Sequence, residues 1–110
     1  MRFDDTIFAL ASAPGKAAVA MVRLSGGSAG VAVRLLTAEE LPQPRQAELR
    51  RLAVPGSGEE IDRALVLWFP GPASYTGEDV AELHVHGGTA VVAAMLDVLG
   101  RQPGLGMAEP

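Results

Sequence analysis

An α+β domain, with two helices packed on one mixed, mostly antiparallel sheet in a small two-layer sandwich, is the fold this sequence predicts. Short apolar runs lie in both halves of the chain, and several alternate every second residue. Two segments switch to helical spacing, each after a glycine-bearing turn. Clusters of Gly, Pro and Ser separate the runs and leave no room for a linker or a repeat.

In chain order, Thr6 to Ala11 reads as a strand that ends at the turn signal Ser12-Ala13-Pro14-Gly15. Ala17 to Leu24 reads as a second. Ser25-Gly26-Gly27-Ser28 breaks it, and from Ala29 the residues Ala32, Val33 and Leu36 fall on one helical face. Ser25 or Ser28 can cap that helix, because a hydroxyl accepts a hydrogen bond from a first-turn N–H. Leu41-Pro42-Gln43-Pro44 closes the first helical region. Ala47 to Val54 is a third strand, followed by the turn Pro55-Gly56-Ser57-Gly58. Ile61 to Phe69 is the most hydrophobic strand; its unbroken run Ala64 to Phe69 suits a strand covered on both faces. Pro70-Gly71-Pro72 and the polar loop Ala73 to Glu78 lead to a fifth strand, Asp79 to His86. Gly87-Gly88 turns into a second helix with Thr89 as N-cap and Val92, Met95, Leu96 and Leu99 on its buried face. Gly100 and Pro103 mark its exit, and a further strand can begin near Gly106.

At 110 residues, 48% of them hydrophobic and 20% charged, the chain has the make-up of one soluble globular domain over residues 1–110. It has no cysteine, which excludes disulfides, thiolate metal sites and thiol catalysis and leans towards the cytoplasm. Neither a secretory signal nor a membrane span is expected. The net charge of −4, with basic residues spread singly apart from Arg50-Arg51, lacks the footprint of a domain that grips a phosphate backbone unaided.

Gly15-Lys16 invites comparison with a phosphate-binding loop, but Leu10 and Ala17 stand where such a loop needs Gly and Ser or Thr. Gly26-Gly27 opens a helix after a strand, where backbone N–H groups can receive an anion, yet lacks the G-x-G-x-x-G order; a tight turn also explains it. On the fifth strand, Glu82, His84 and His86 share one face while Ala81, Leu83 and Val85 share the other. That polar strip can be a metal contact, a sheet-end or subunit contact, or a carboxylate that recognises a ligand. Arg23 is the one charge in the run Ala17 to Leu24 and shares a face with Val19 and Met21. It can reach solvent, pair with Glu82, or hold a carboxylate or carbonyl-rich heterocycle with its planar fork. No nucleophile–base constellation is present, so no catalytic residue is assigned.

Three stretches carry a resemblance. Asp5-Thr6-Ile7-Phe8-Ala9 leads to Pro14-Gly15-Lys16 and on to Val22-Arg23-Leu24-Ser25-Gly26. Trp68-Phe69-Pro70-Gly71-Pro72-Ala73-Ser74-Tyr75-Thr76-Gly77-Glu78-Asp79 continues into Val80-Ala81-Glu82-Leu83-His84-Val85-His86-Gly87-Gly88. From about Asp4 to Pro110 the chain resembles the N-terminal domain of the MnmE (TrmE) tRNA-modification GTPases, whose F-P-x-P-x-S-(F/Y)-T-G-E-D-V-x-E-x-x-x-H-G-G run is peculiar to that family. The resemblance implies a fold similar to folate-binding aminomethyltransferase domains, a homodimer, and binding of 5-formyl-tetrahydrofolate or another one-carbon tetrahydrofolate. It places the folate contacts on Arg23 and Glu82 and a third, basic contact beyond these residues; Lys16 and Ala17-Ala18 stand where many relatives carry Arg and Gly pairs. It further implies a parent protein whose helical and GTPase domains, with their GTP, Mg and K, lie outside this chain. That parent acts with the flavoprotein MnmG (GidA) on the wobble uridine of tRNA. A carboxylate that accepts paired N–H groups from a pterin edge accounts for Glu82 on an otherwise apolar strand. A domain that only holds two copies together, and a metal site on His84 and His86, are the competing readings.

Overall fold

The computed structural model describes residues 6–11, 19–72, 77–86 and 88–107. Six strands and two helices follow in the order β1 (Thr6–Leu10), β2 (Val19–Ser25), α1 (Ala29–Thr37), β3 (Glu48–Ala53), β4 (Glu60–Phe69), β5 (Val80–His86), α2 (Thr89–Gly100) and β6 (Leu105–Met107). They form the expected α+β sandwich. The strands make one mixed sheet in the order β3-β4-β5-β2-β1-β6. The pair β1–β6 is parallel and the other neighbours are antiparallel. The expected turn at Ser12 to Gly15, the Gly15-Lys16 pair, the Ala17-Ala18 start of the second strand, the loop residues Ala73 to Thr76, Gly87 of the turn, and the chain end from Ala108 lie outside the described residues.

Alternation sorts the strands into two faces. Ala20, Val22 and Leu24 of β2, Ala81, Leu83 and Val85 of β5, and Ala64, Val66 and Trp68 of β4 point to one side and are buried. There they join Phe8, Leu52 and the inner stripes of both helices, Ala29, Ala32, Val33 and Leu36 with Met95, Val98 and Leu99, in one hydrophobic cluster. Gly30 lets α1 settle on the sheet: a β-carbon there would stand 3.2 Å from the Trp68 ring. Burial of about ten large side chains of this kind, each worth roughly 1.5–3 kcal/mol, drives the layers together.

Four local expectations are corrected. The run Ala64 to Phe69 is covered on one face only, and Leu65 is 44% exposed. Helix α1 ends at Thr37, before Leu41, because Ala38 takes a left-handed conformation (φ 56°) and donates its N–H to the Arg34 carbonyl. Ser28 holds the N-cap position, but its hydroxyl makes no cap bond. Its own backbone N–H instead donates to Thr6 Oγ1 at 2.6 Å, so a hydroxyl from β1 anchors the helix start. Gly88, not Thr89, is the N-cap of α2.

Gly26 accounts for the turn between β2 and α1. Its φ is +139°, and a β-carbon would lie 2.6 Å from the Thr6 α-carbon. Its N–H donates to the Asp79 carbonyl at 2.9 Å, and the Ala29 N–H donates to the Gly26 carbonyl at 3.2 Å. With the N–H groups of Gly26, Ser28 and Ala29 all engaged within the protein, the glycine pair is built as a tight turn.

Candidate functional site

The sheet face opposite the helices carries the polar strip. Partners across the ladder point to the same side, so the register lays this face out in rows. One row runs Ala9, Arg23, Glu82, Leu67 across β1, β2, β5 and β4. The next runs Met21, His84, Leu65, Leu49 across β2, β5, β4 and β3. Among the side chains of this face, Val19 (52% exposed), Leu49 (64%) and Leu65 (44%) are apolar and open to solvent.

The structure thus brings together the two residues singled out in the sequence. Arg23 and Glu82 are direct cross-strand partners. Arg23 Nη2 lies 3.5 Å from Glu82 Oε2, with the two side chains 35% and 14% exposed. The third member of the strip joins them: His84 Nε2 is 3.1 Å from Glu82 Oε1. Each oxygen of one carboxylate therefore faces a different nitrogenous group. A carboxylate offers about four lone-pair positions, so this one keeps acceptor capacity for further N–H donors. Burial among apolar neighbours strengthens such contacts and makes a missing partner costly.

His86 does not join the cluster. Its Nδ1 lies 2.8 Å from Asp62 Oδ1 and its backbone N–H donates to Asp62 Oδ2 at 2.8 Å, so Asp62 clamps the end of β5 onto β4. Sequence reasoning missed Asp62, which stands near the start of β4 between Glu60 and Arg63 with no local signal to set it apart. The two histidines are held by different carboxylates, and no group of three or more metal-ligating side chains occurs among the described residues. Beside the strip, Val19, Leu49, Leu65, His84 and His86 border a shallow depression of about 220 Å³. A larger one, about 670 Å³, lies away from it near Arg34, Glu39 and Arg50. There Arg50 is already committed, to Glu48 at 2.6 Å and to the Glu40 carbonyl at 2.9 Å, and none of the site residues singled out in the sequence lines that hollow.

The described ends of the connection between β4 and β5 are tied down next to the strip. Asp79 Oδ1 accepts the Gly71 N–H at 2.9 Å, and Glu78 Oε2 accepts the Ser25 hydroxyl at 3.1 Å. Glu78 and Asp79 of the G-E-D run thereby fix the loop base against the end of β2, two residues from Arg23.

Residues 6–110 match the family model described as GTP-binding protein TrmE N-terminus. The chain belongs to this family. Among curated TrmE-family relatives it is 60% identical over 106 residues to the tRNA modification GTPase MnmE of Methylobacterium sp. (strain 4-46), covering 96% of this chain and 24% of that protein. It is 62% identical over 107 residues to the MnmE of Phenylobacterium zucineum (97% and 23%). It is 58% identical over 105 residues to the mitochondrial 5-taurinomethyluridine tRNA synthase subunit GTPB3 of Homo sapiens (94% and 21%). The chain spans less than a quarter of the length of these TrmE-family relatives. No described helix is long and apolar enough to cross a membrane.

Proposed function

We propose that this chain is the one-carbon-folate-binding and self-associating part of a cytoplasmic tRNA-modification GTPase. In this reading Arg23 and Glu82 hold 5-formyl-tetrahydrofolate or a related one-carbon tetrahydrofolate. The GTP-hydrolysing segments, with their GTP, Mg and K, lie elsewhere in the parent protein, which works with the flavoprotein MnmG (GidA) on the wobble uridine of tRNA. The observation that carries it is the Arg23–Glu82 row: two complementary charges side by side, flanked by Ala9 and Leu67, on the sheet face opposite the helices. Glu82 supplies paired acceptors for an amino-pyrimidine edge, and Arg23 supplies a donor fork for a carbonyl or carboxylate of the same ligand. The open apolar side chains around them favour a second copy as the cover.

Calorimetry with 5-formyl-tetrahydrofolate tests the reading. Binding by the wild-type chain, abolished or weakened at least about a hundredfold in Arg23→Ala and Glu82→Ala, is the expected result, since a truncated charge partner in a desolvated site costs several kcal/mol. Unchanged binding in both variants removes these residues from the site. A specific observation also favours the plainer reading of a dimerisation module with no ligand: the two charges already satisfy one another at 3.5 Å. A dimer by light scattering with no folate uptake, in this chain and in a longer one, establishes that reading instead.

A further inference from the structure

The Glu82 carboxylate has a second neighbour that neither the family resemblance nor the Arg23 pairing accounts for. His84 stands two residues along β5 on the same face, between Met21 on β2 and Leu65 on β4, and is 30% exposed on its side chain. Its Nε2 faces Glu82 Oε1 at 3.1 Å. An ionised carboxylate only accepts hydrogen bonds, so the ring nitrogen that meets it must carry a proton. The contact therefore selects the Nε2–H tautomer when the ring is neutral and directs Nδ1 away from the carboxylate. With Arg23 on Oε2 and His84 on Oε1, both ends of the carboxylate are held in place. The rotation of that group, which an unrestrained Glu would lose on binding, is restricted beforehand.

We propose that His84 is a positioning residue: its Nε2–H fixes the plane of the Glu82 carboxylate so that the remaining lone pairs meet an incoming pair of N–H donors. The proposal rests on the folate reading for its ligand, but the tautomer it requires does not. Met21 and Leu65 on either side of the ring along its row keep the imidazole over the strand, and the neighbouring row places Glu82 within its reach. His84 touches no reacting atom in this scheme and acts only through Glu82.

The test uses the whole chain and two substitutions. His84→Leu keeps an apolar side chain between Met21 and Leu65 but removes the N–H; His84→Gln restores an N–H donor able to reach the same oxygen. Circular dichroism and thermal unfolding establish that both variants fold. Calorimetry with 5-formyl-tetrahydrofolate is expected to show affinity about tenfold weaker in His84→Leu, the scale of one hydrogen bond to a charged group. His84→Gln is expected to stay within about threefold of wild type, because the donor is retained. Long-range ¹⁵N–¹H spectra of the ligand-free chain, recorded above the ordinary imidazole range, are expected to show the His84 ring protonated at Nε2. If wild type binds folate and His84→Leu binds equally well, or both variants weaken alike, the positioning role is overturned while the folate reading stands. If the chain takes up no folate but His84 is Nε2-protonated, the folate reading falls and the His84–Glu82 bond is upheld. A ring protonated at Nδ1 overturns the proposal whatever the chain binds.

Discussion

The two faces of one sheet are built from the same strands and differ in almost every respect. On the helix side Val22, Leu24, Val66, Leu83 and Val85 are essentially inaccessible and meet the apolar stripes of α1 and α2. On the other side, one residue along each strand, Arg23, Glu82 and His84 form a hydrogen-bonded and ionic strip among Met21, Leu49, Leu65 and Leu67. The first face is a finished core. The second combines apolar side chains that water does not favour with charges that a core does not accept, the mixture expected of a surface that is covered by something other than its own chain. A domain can thus devote one set of alternate positions to stability and the other to recognition, and substitutions on each face should be felt in different measurements.

The largest stability effect is expected on the covered face. Leu83→Ala removes a fully buried side chain from the centre of the cluster and should cost about 2–5 kcal/mol, read as a shift in the urea midpoint at unchanged slope. A loss under about 1 kcal/mol would mean the helices pack loosely on the sheet. Next comes Gly26→Ala, which must leave a φ of +139° and push a β-carbon away from the Thr6 backbone. A cost of about 1–3 kcal/mol is expected, since a turn glycine that also touches backbone has no cheap relaxation. On the open face Leu65→Ser should change the stability of the isolated chain by no more than about 0.5 kcal/mol. Under the proposed self-association it should nevertheless remove the concentration dependence of the wild-type melting temperature. If Leu65→Ser unfolds the chain as Leu83→Ala does, the division between the faces is wrong.

The smallest effect concerns pH. Arg50, hydrogen-bonded to Glu48 at the start of β3, holds that carboxyl below the usual carboxylate range, with the Gln43 backbone N–H helping. A depressed folded value means the contribution is fully present above the unfolded carboxylate range and is lost as pH falls through the lower folded value. The melting-temperature difference between wild type and Glu48→Gln should therefore be small at neutral pH and vanish on acidification. Persistence of the difference in acid would assign it to packing.

Much of this division was legible in the sequence, because alternation alone sorts Ala81, Leu83 and Val85 from Glu82, His84 and His86, and Arg23 from Val22 and Leu24. The opposition of Arg23 and Glu82 was only one option there, since it depends on how β2 and β5 are registered, which no local signal states. The unbroken run Ala64 to Phe69 was misread as covered on both sides. Hydrophobicity shows that a face avoids water and not what covers it, and the helices reach one side of β4 only. The anchoring of α1 by Thr6 was invisible for a similar reason: the Ser28 hydroxyl is the local candidate, and the donor–acceptor pair that wins spans the fold. Asp62 was overlooked because its partner, the His86 backbone, lies on a neighbouring strand.

The parallel pairing of β1 with β6 has a consequence for how the chain is made. Thr6 donates its N–H to the Gly104 carbonyl, and Thr6, Ile7 and Phe8 pair with Leu105, Gly106 and Met107. On a ribosome the outer rim of β1 must wait, bare, until Leu105 to Met107 have been made. An unfilled rim invites pairing with another nascent chain. Translation products that stop short of Leu105 should therefore leave the ribosome sticky, however well the rest of the sheet has formed.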